Sequence, residues 1–116
     1  MIELTADQRD AVVAALNERA GGCLDRMRQS IGSGILTAQE LRDQVNLDLR
    51  WLRQTLAALT PLAPDAKDRW LTELTGVMLD YRRELQRLED AERQMIAWNA
   101  RAEEEKSRHS TAAVTA

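Results

Sequence analysis

The chain has 116 residues, 44% of them hydrophobic and 30% charged, which bounds it to one domain or a compact bundle with an extension. The net charge of −3 argues against general binding to nucleic acid, which attracts basic surfaces. A lone cysteine, Cys23, excludes an internal disulfide.

Phe is absent and aromatics make up 3%, so Leu, Ala, Val, Met and three Trp must fill any core. That composition favours helices over strands, which prefer β-branched and aromatic residues. The opening MIELTADQRD has neither a basic n-region nor an apolar h-region, and no window approaches 18 consecutive apolar residues. A cytoplasmic protein without a membrane span is the expectation.

The first helix opens at Thr5, where Thr5-Ala6-Asp7-Gln8 fits a capping box: the threonine oxygen accepts an orphan N–H and Gln8 reaches back. Val13, Leu16, Ala20, Cys23, Met27 and Ile31 follow at spacings of three and four. The phase survives Gly21-Gly22, so one helix over about 6–30 is predicted, weak or kinked at the glycines, with two short helices meeting there as the alternative. Gly32-Ser33-Gly34 makes a turn.

Thr37-Ala38-Gln39-Glu40 is a second capping box, with Leu36 and Leu41 placed as a hydrophobic staple. The second helix is predicted over about 38–59, with Leu41, Val45, Leu49, Leu52, Leu56 and Leu59 as its core face. Pro61 and Pro64 bracket the next connection, and Pro64 suits the first position of a helix.

The third helix is predicted over about 64–105. Leu74, Tyr81, Leu88, Met95 and Ala102 recur every seven residues, and Leu71, Met78 and Leu85 stand three before the first three of them. Trp70, Val77, Ala91 and Trp98 widen the stripe. In this register Glu92 and Asn99 fall at core-type positions, where polar residues fix orientation, unless the seam rotates and leaves them in water. Glu103-Glu104-Glu105 opposes the helix dipole, and residues 106–116 are expected to be a disordered tail.

These readings define an all-α fold: an antiparallel three-helix bundle whose long C-terminal helix extends as a coiled-coil arm, with residues 1–105 forming a single domain. At about 1.5 Å per residue the third helix is about 60 Å long, against about 33–38 Å for the other two. Residues past about Ala91 are therefore expected to overhang the bundle, yet Met95, Ile96 and Trp98 lie among them. Burying such side chains is worth about 1.5–3 kcal/mol each, so Met95, Ile96, Trp98 and Ala102 form a candidate dimer or partner seam. The competing reading folds the third helix back, or covers this surface with the 31–36 loop and the N-terminus.

Helix two carries a second anomaly. Leu47 and Trp51 point away from the Leu49–Leu52–Leu56 stripe, and Arg50 and Arg53 flank them. Trp with Arg is the composition of an interaction hot spot, so these four form a second candidate partner face; the alternative places Trp51 in the core.

No catalytic, cofactor-binding or metal-ligating set is visible. The only histidine, His109, falls in the tail, and Cys23 sits on an apolar stripe as a small hydrophobe would. The glycine pairs lack the Lys-Ser/Thr and the preceding strand of a phosphate loop. The function expected is a non-catalytic protein–protein interaction module, a small homodimeric adaptor, chaperone or inhibitor docking through helix faces, its partner unidentified. The alternative is a nucleic-acid-associated regulator using Arg42, Arg82, Arg83 and Arg87 together with the arginines of helix two.

Overall fold

A computed structural model describes residues 3–115, with side chains placed through His109. Three helices occur in the described residues: α1 (Ala6–Gly32), α2 (Ala38–Leu59) and α3 (Pro64–Thr115). The chain divides into two compact units, Met1–Leu85 and Gln86–Ala116, each taken by itself below.

Both capping boxes form. Gln8 N donates to Thr5 Oγ1 at 3.1 Å while Thr5 N donates to Gln8 Oε1 at 2.9 Å. Thr37 and Glu40 repeat the exchange at 3.1 and 3.0 Å. Each box satisfies two backbone donors that the helix geometry would otherwise orphan. Between α1 and α2, Gly34 takes φ +71°, a conformation that L side chains rarely adopt. At the far end of α2, Thr60 N and Thr60 Oγ1 both donate to the Leu56 carbonyl, at 2.9 and 2.6 Å, and Pro61 cannot continue the helix. The Ala63 carbonyl then accepts from Ala66 and Lys67, with Pro64 at the first position of α3.

α1 runs unbroken through Gly21-Gly22. The ring edge of Trp70 lies beside Gly21, where a Cβ would stand 3.4 Å from it, so the indole packs close along α1. Trp70 Nε1 donates to Asn17 Oδ1 at 2.8 Å, satisfying the one polar atom of a half-buried ring.

The first unit is an antiparallel three-helix bundle. Arg26 meets Asp48 and Arg19 meets Trp51, so positions descend along α1 as they ascend along α2. α1 and α2 make the closest backbone approach in the chain. α3 rises in the same direction as α1, with Trp70 at Asn17 and Gly21 and Glu73 at Arg28, 3.6 Å away. Ala20, Cys23, Leu24 and Met27 of α1 are buried against Ala38, Leu41, Val45, Leu52, Leu56 and Leu59 of α2, and Val77 and Tyr81 of α3 are buried too. Each large aliphatic side chain taken from water here contributes about 1.5–3 kcal/mol.

Three details differ from the sequence reading. Leu49 is only half-buried, and Asp48 and Thr55 occupy the buried face of α2 instead. The register of α3 also differs. Val77 and Tyr81 are buried, whereas Leu71 is 39% exposed and Met78 and Leu85 are half-buried. The covered stripe runs through Trp70 and Leu74, both half-buried, to Val77 and Tyr81, both buried; it steps four, three and four and keeps to one face of a helix. Leu71, Met78 and Leu85 lie one residue on, about 100° around the helix.

The third difference is length. α3 continues ten residues past 105, to Thr115, through most of the segment expected to lack structure. No Gly or Pro interrupts it after Gly76, and Arg108 lies 4.0 Å from Glu104 one turn back, an orientation that supports a helix. Ala116, at the end of that expected tail, lies outside the described residues. Among the described residues no helix is long and apolar enough to cross a membrane.

Candidate protein-interaction surfaces

In the second unit, α3 is a single helix with large apolar side chains in water. Met95 is 66% exposed, Ile96 69% and Trp98 75%. Ala91, Gln94, Met95, Trp98 and Asn99 line a hollow of about 520 Å³. Trp98, Arg101, Ala102 and Glu105 line another of about 460 Å³. Trp98 belongs to both, so the two hollows form one trough along a single helix face.

That face continues the four-three stepping of the bundle stripe: Leu88, Ala91, Met95, Trp98 and Ala102. Met95, Trp98 and Ala102, three of the four predicted seam residues, lie along it. Ile96 does not line either hollow, being one residue off the line and about 100° around. Asn99 lines the first of the two hollows. On the flank, Asp90 accepts from Arg93 and from Gln86, and these bonds, the Arg93 one foremost, hold its carboxyl below the ordinary value.

A second surface lies between α1 and α2 in the first unit. Leu47 is 49% exposed and Trp51 42%, with Arg50 and Arg53 exposed beside them. The Arg19 guanidinium sits 5.0 Å from the Trp51 ring centroid, a cation–π contact that holds the indole flat across the two helices. Leu47 and Trp51 form one wall of a groove of about 550 Å³, and Ile35 and Leu36 of the connecting loop form another. Ile35 is 86% exposed, the highest value among the large hydrophobic residues described.

The floor of this groove is an ion pair that the heptad and stripe patterns did not disclose. Arg26 Nε donates to Asp48 Oδ1 at 3.0 Å, and Arg26 NH2 donates to the Cys23 sulfur at 3.4 Å. Asp48 is 6% exposed, while the Arg26 side chain keeps 55% of its surface in water. The hydrogen bond to Asp48 is the main cause that raises the Arg26 pKa. Burial pushes the Cys23 thiol up, against the pull of the neighbouring Arg26 charge. The clue in the sequence is that Asp48 stands three after Val45 and four before Leu52, an acid inside a leucine stripe. A buried carboxylate needs a hydrogen-bonding partner, and here Arg26 on the facing helix supplies it.

The arginines of the nucleic-acid reading fall in different surroundings. Arg42 donates to Gln39 on the exposed side of α2. Arg82 borders a shallow hollow of α3 with Leu71, Leu74, Thr75, Met78 and Leu79, so its neighbours there are apolar. Arg83 and Arg87 are exposed on α3. His109 is exposed, and among the described residues no group of three or more His, Cys, Asp or Glu could hold a metal ion.

Comparison with protein-family models, with curated proteins and with solved structures finds no match.

Proposed function

We propose that the chain is a non-catalytic protein–protein interaction module, a small homodimeric adaptor, chaperone or inhibitor that works by docking helix faces. The observation that carries this reading is the trough of Ala91, Met95, Trp98 and Ala102, a continuation of the bundle's own apolar stripe with Trp98 left 75% exposed. An exposed apolar stripe on one face of a helix is the usual mark of a helix-to-helix contact, and coiled-coil pairing is the simplest way to cover it. The distal helix pairs with a second copy, which leaves the α1–α2 groove of each protomer, with Trp51 and Leu47, open to a different protein.

Light scattering behind size-exclusion chromatography at several concentrations tests the first half. A mass of about 26 kDa, twice 13.1 kDa, is expected, and a mass that stays at 13.1 kDa at every concentration rejects self-pairing.

A further inference from the structure

We infer that the α1–α2 groove takes an amphipathic helix of another protein, one whose apolar anchor over Trp51 carries carboxylates on both flanks. This rests on the reading that the groove docks a different protein, and it adds that protein's chemistry.

The charges around the groove are uneven along its length. At the Ile35 end the exposed charges on α2 are acidic, Glu40 accepting from the Thr37 backbone and Asp43 from Gln39. In the middle, Arg26 already meets the Asp48 carboxylate. At the Trp51 end the charges are basic. Arg19 stands over the indole on the α1 side, and Arg50, three residues after Leu47, is exposed on the α2 side. Among the described residues neither has a carboxylate within ion-pair distance. The imbalance is written in the sequence. Between Asp48 and Asp65 there is no acid, while Arg50 and Arg53 are present, and residues 11–17 on the antiparallel stretch of α1 carry no charge. The nearest acid on α1, Glu18, is one position from Arg19 and about 100° around the helix. A chain of net charge −3 thus keeps an apolar surface around Trp51 flanked by two arginines, with the nearby Asp48 buried and paired.

The shape selects a helix. The groove lies between two helices, which offer no strand edge for an extended peptide to pair with. Its lining on α2 runs from Gln44 to Trp51, about two turns. A helix laid along it presents apolar side chains one turn apart to Leu47 and Trp51. Its flanking positions then fall on the two sides where Arg19 and Arg50 stand, and carboxylates there form charge-assisted hydrogen bonds to the guanidinium groups. A nucleic-acid strand is also drawn to arginine, but it needs an open aromatic face on which to stack its bases. Arg19 already stands over Trp51, and Leu47, Ile35 and Leu36 give a phosphate backbone nothing to bind.

Two synthetic peptides of about 21 residues, long enough to hold a helix, test this. Both carry a leucine stripe, flanked by glutamine along one half. The other half is flanked by glutamate in the first peptide and by lysine in the second. By fluorescence anisotropy at low salt the glutamate peptide should bind at least about tenfold tighter. Arg19→Glu with Arg50→Glu should reverse that order at unchanged helicity, whereas loss of a merely structural contact weakens both peptides alike. Arg50→Glu alone, at an exposed position, should already narrow the gap. Trp51→Ala should weaken both peptides, and Met95→Ala with Trp98→Ala should weaken neither. Equal binding of the two peptides, lost in Trp51→Ala, overturns the acidic partner and leaves the groove a docking site. Binding that survives Trp51→Ala and fails in the Met95→Ala, Trp98→Ala variant overturns the groove reading as well, as does no binding at about 100 μM. Oligothymidylate that binds tighter than the glutamate peptide, and is lost in the arginine variant, overturns the protein partner in favour of nucleic acid. None of these outcomes depends on whether the distal helix self-associates.

Discussion

Two stretches of α3 share one four-three apolar stepping and meet different fates. In the first unit Val77 and Tyr81 are 3% and 9% exposed; in the second, Met95 and Trp98 are 66% and 75% exposed. The residue types are similar, and so is the four-three stepping. What differs is the company: α1 supplies Asn17, Gly21 and Arg28 to the first stretch, and the second is a single helix. The comparison teaches that the periodicity of a helix specifies which face is to be covered and leaves open what covers it. Stability belongs to the first stretch, and recognition is proposed for the second.

Substitutions should separate the two stretches cleanly. The largest effect belongs to the bundle core: Leu24→Ala should cost about 2–5 kcal/mol in chemical denaturation, because a fully buried side chain leaves a cavity. Arg26→Ala should cost about 2 kcal/mol, since it strands the buried Asp48 carboxylate. The reverse change, Asp48→Asn, should cost less, because the Arg26 side chain is already 55% in water. An equal loss in both would mean that the pair is not what satisfies Asp48.

Trp51→Ala should cost about 1 kcal/mol, the worth of its cation–π contact with Arg19 and its covered edge. A loss of several kcal/mol would make Trp51 a core residue and close the groove as a partner site. Met95→Ala with Trp98→Ala should change bundle stability by less than about 0.5 kcal/mol and leave helicity near wild type, while self-association falls by more than about tenfold. An unchanged mass would take the seam out of the dimer.

The smallest effect is on pH. Hydrogen bonds from Thr37, the backbone one foremost, hold the Glu40 carboxyl below its ordinary 4.5. A group depressed in the fold contributes stability above its unfolded pKa and loses it as pH falls through the folded value. The start of α2 should therefore loosen only below about pH 4.5, and Glu40→Gln, which keeps the acceptor, should remove that dependence. Amide exchange at Thr37 reports it.

The helices and their starts were legible because their signals are local. Thr5 with Gln8 and Thr37 with Glu40 need only three residues of context, and both boxes close as written. Helical phase turned Leu47 and Trp51 away from the core stripe but left open whether a neighbouring helix covers Trp51, which is 42% exposed. The register of α3 was not legible, because Leu71, Met78 and Leu85 are as apolar as Trp70 and Val77, and only the docking of Trp70 on Gly21 decides between the two stripes. Gly21, which reads locally as a weakness, lies against that indole. The Arg26–Asp48 pair joins positions 22 apart in sequence, so neither residue announces the other. Nor did the sequence mark the end of α3: the acid run at 103–105 opposes the dipole, but the next turn's Arg108 offsets it.

The single cysteine gives this protein a built-in clock. Cys23 is wholly shielded at the α1–α2 contact, with its thiol pushed up by burial. A soluble alkylating reagent can reach it only in molecules whose first two helices have parted. The rate of its modification under native conditions therefore counts openings of the bundle. Because Cys23 lies one turn from Arg26 at the base of the groove, anything that settles there and holds the two helices together should slow that clock without touching the sulfur.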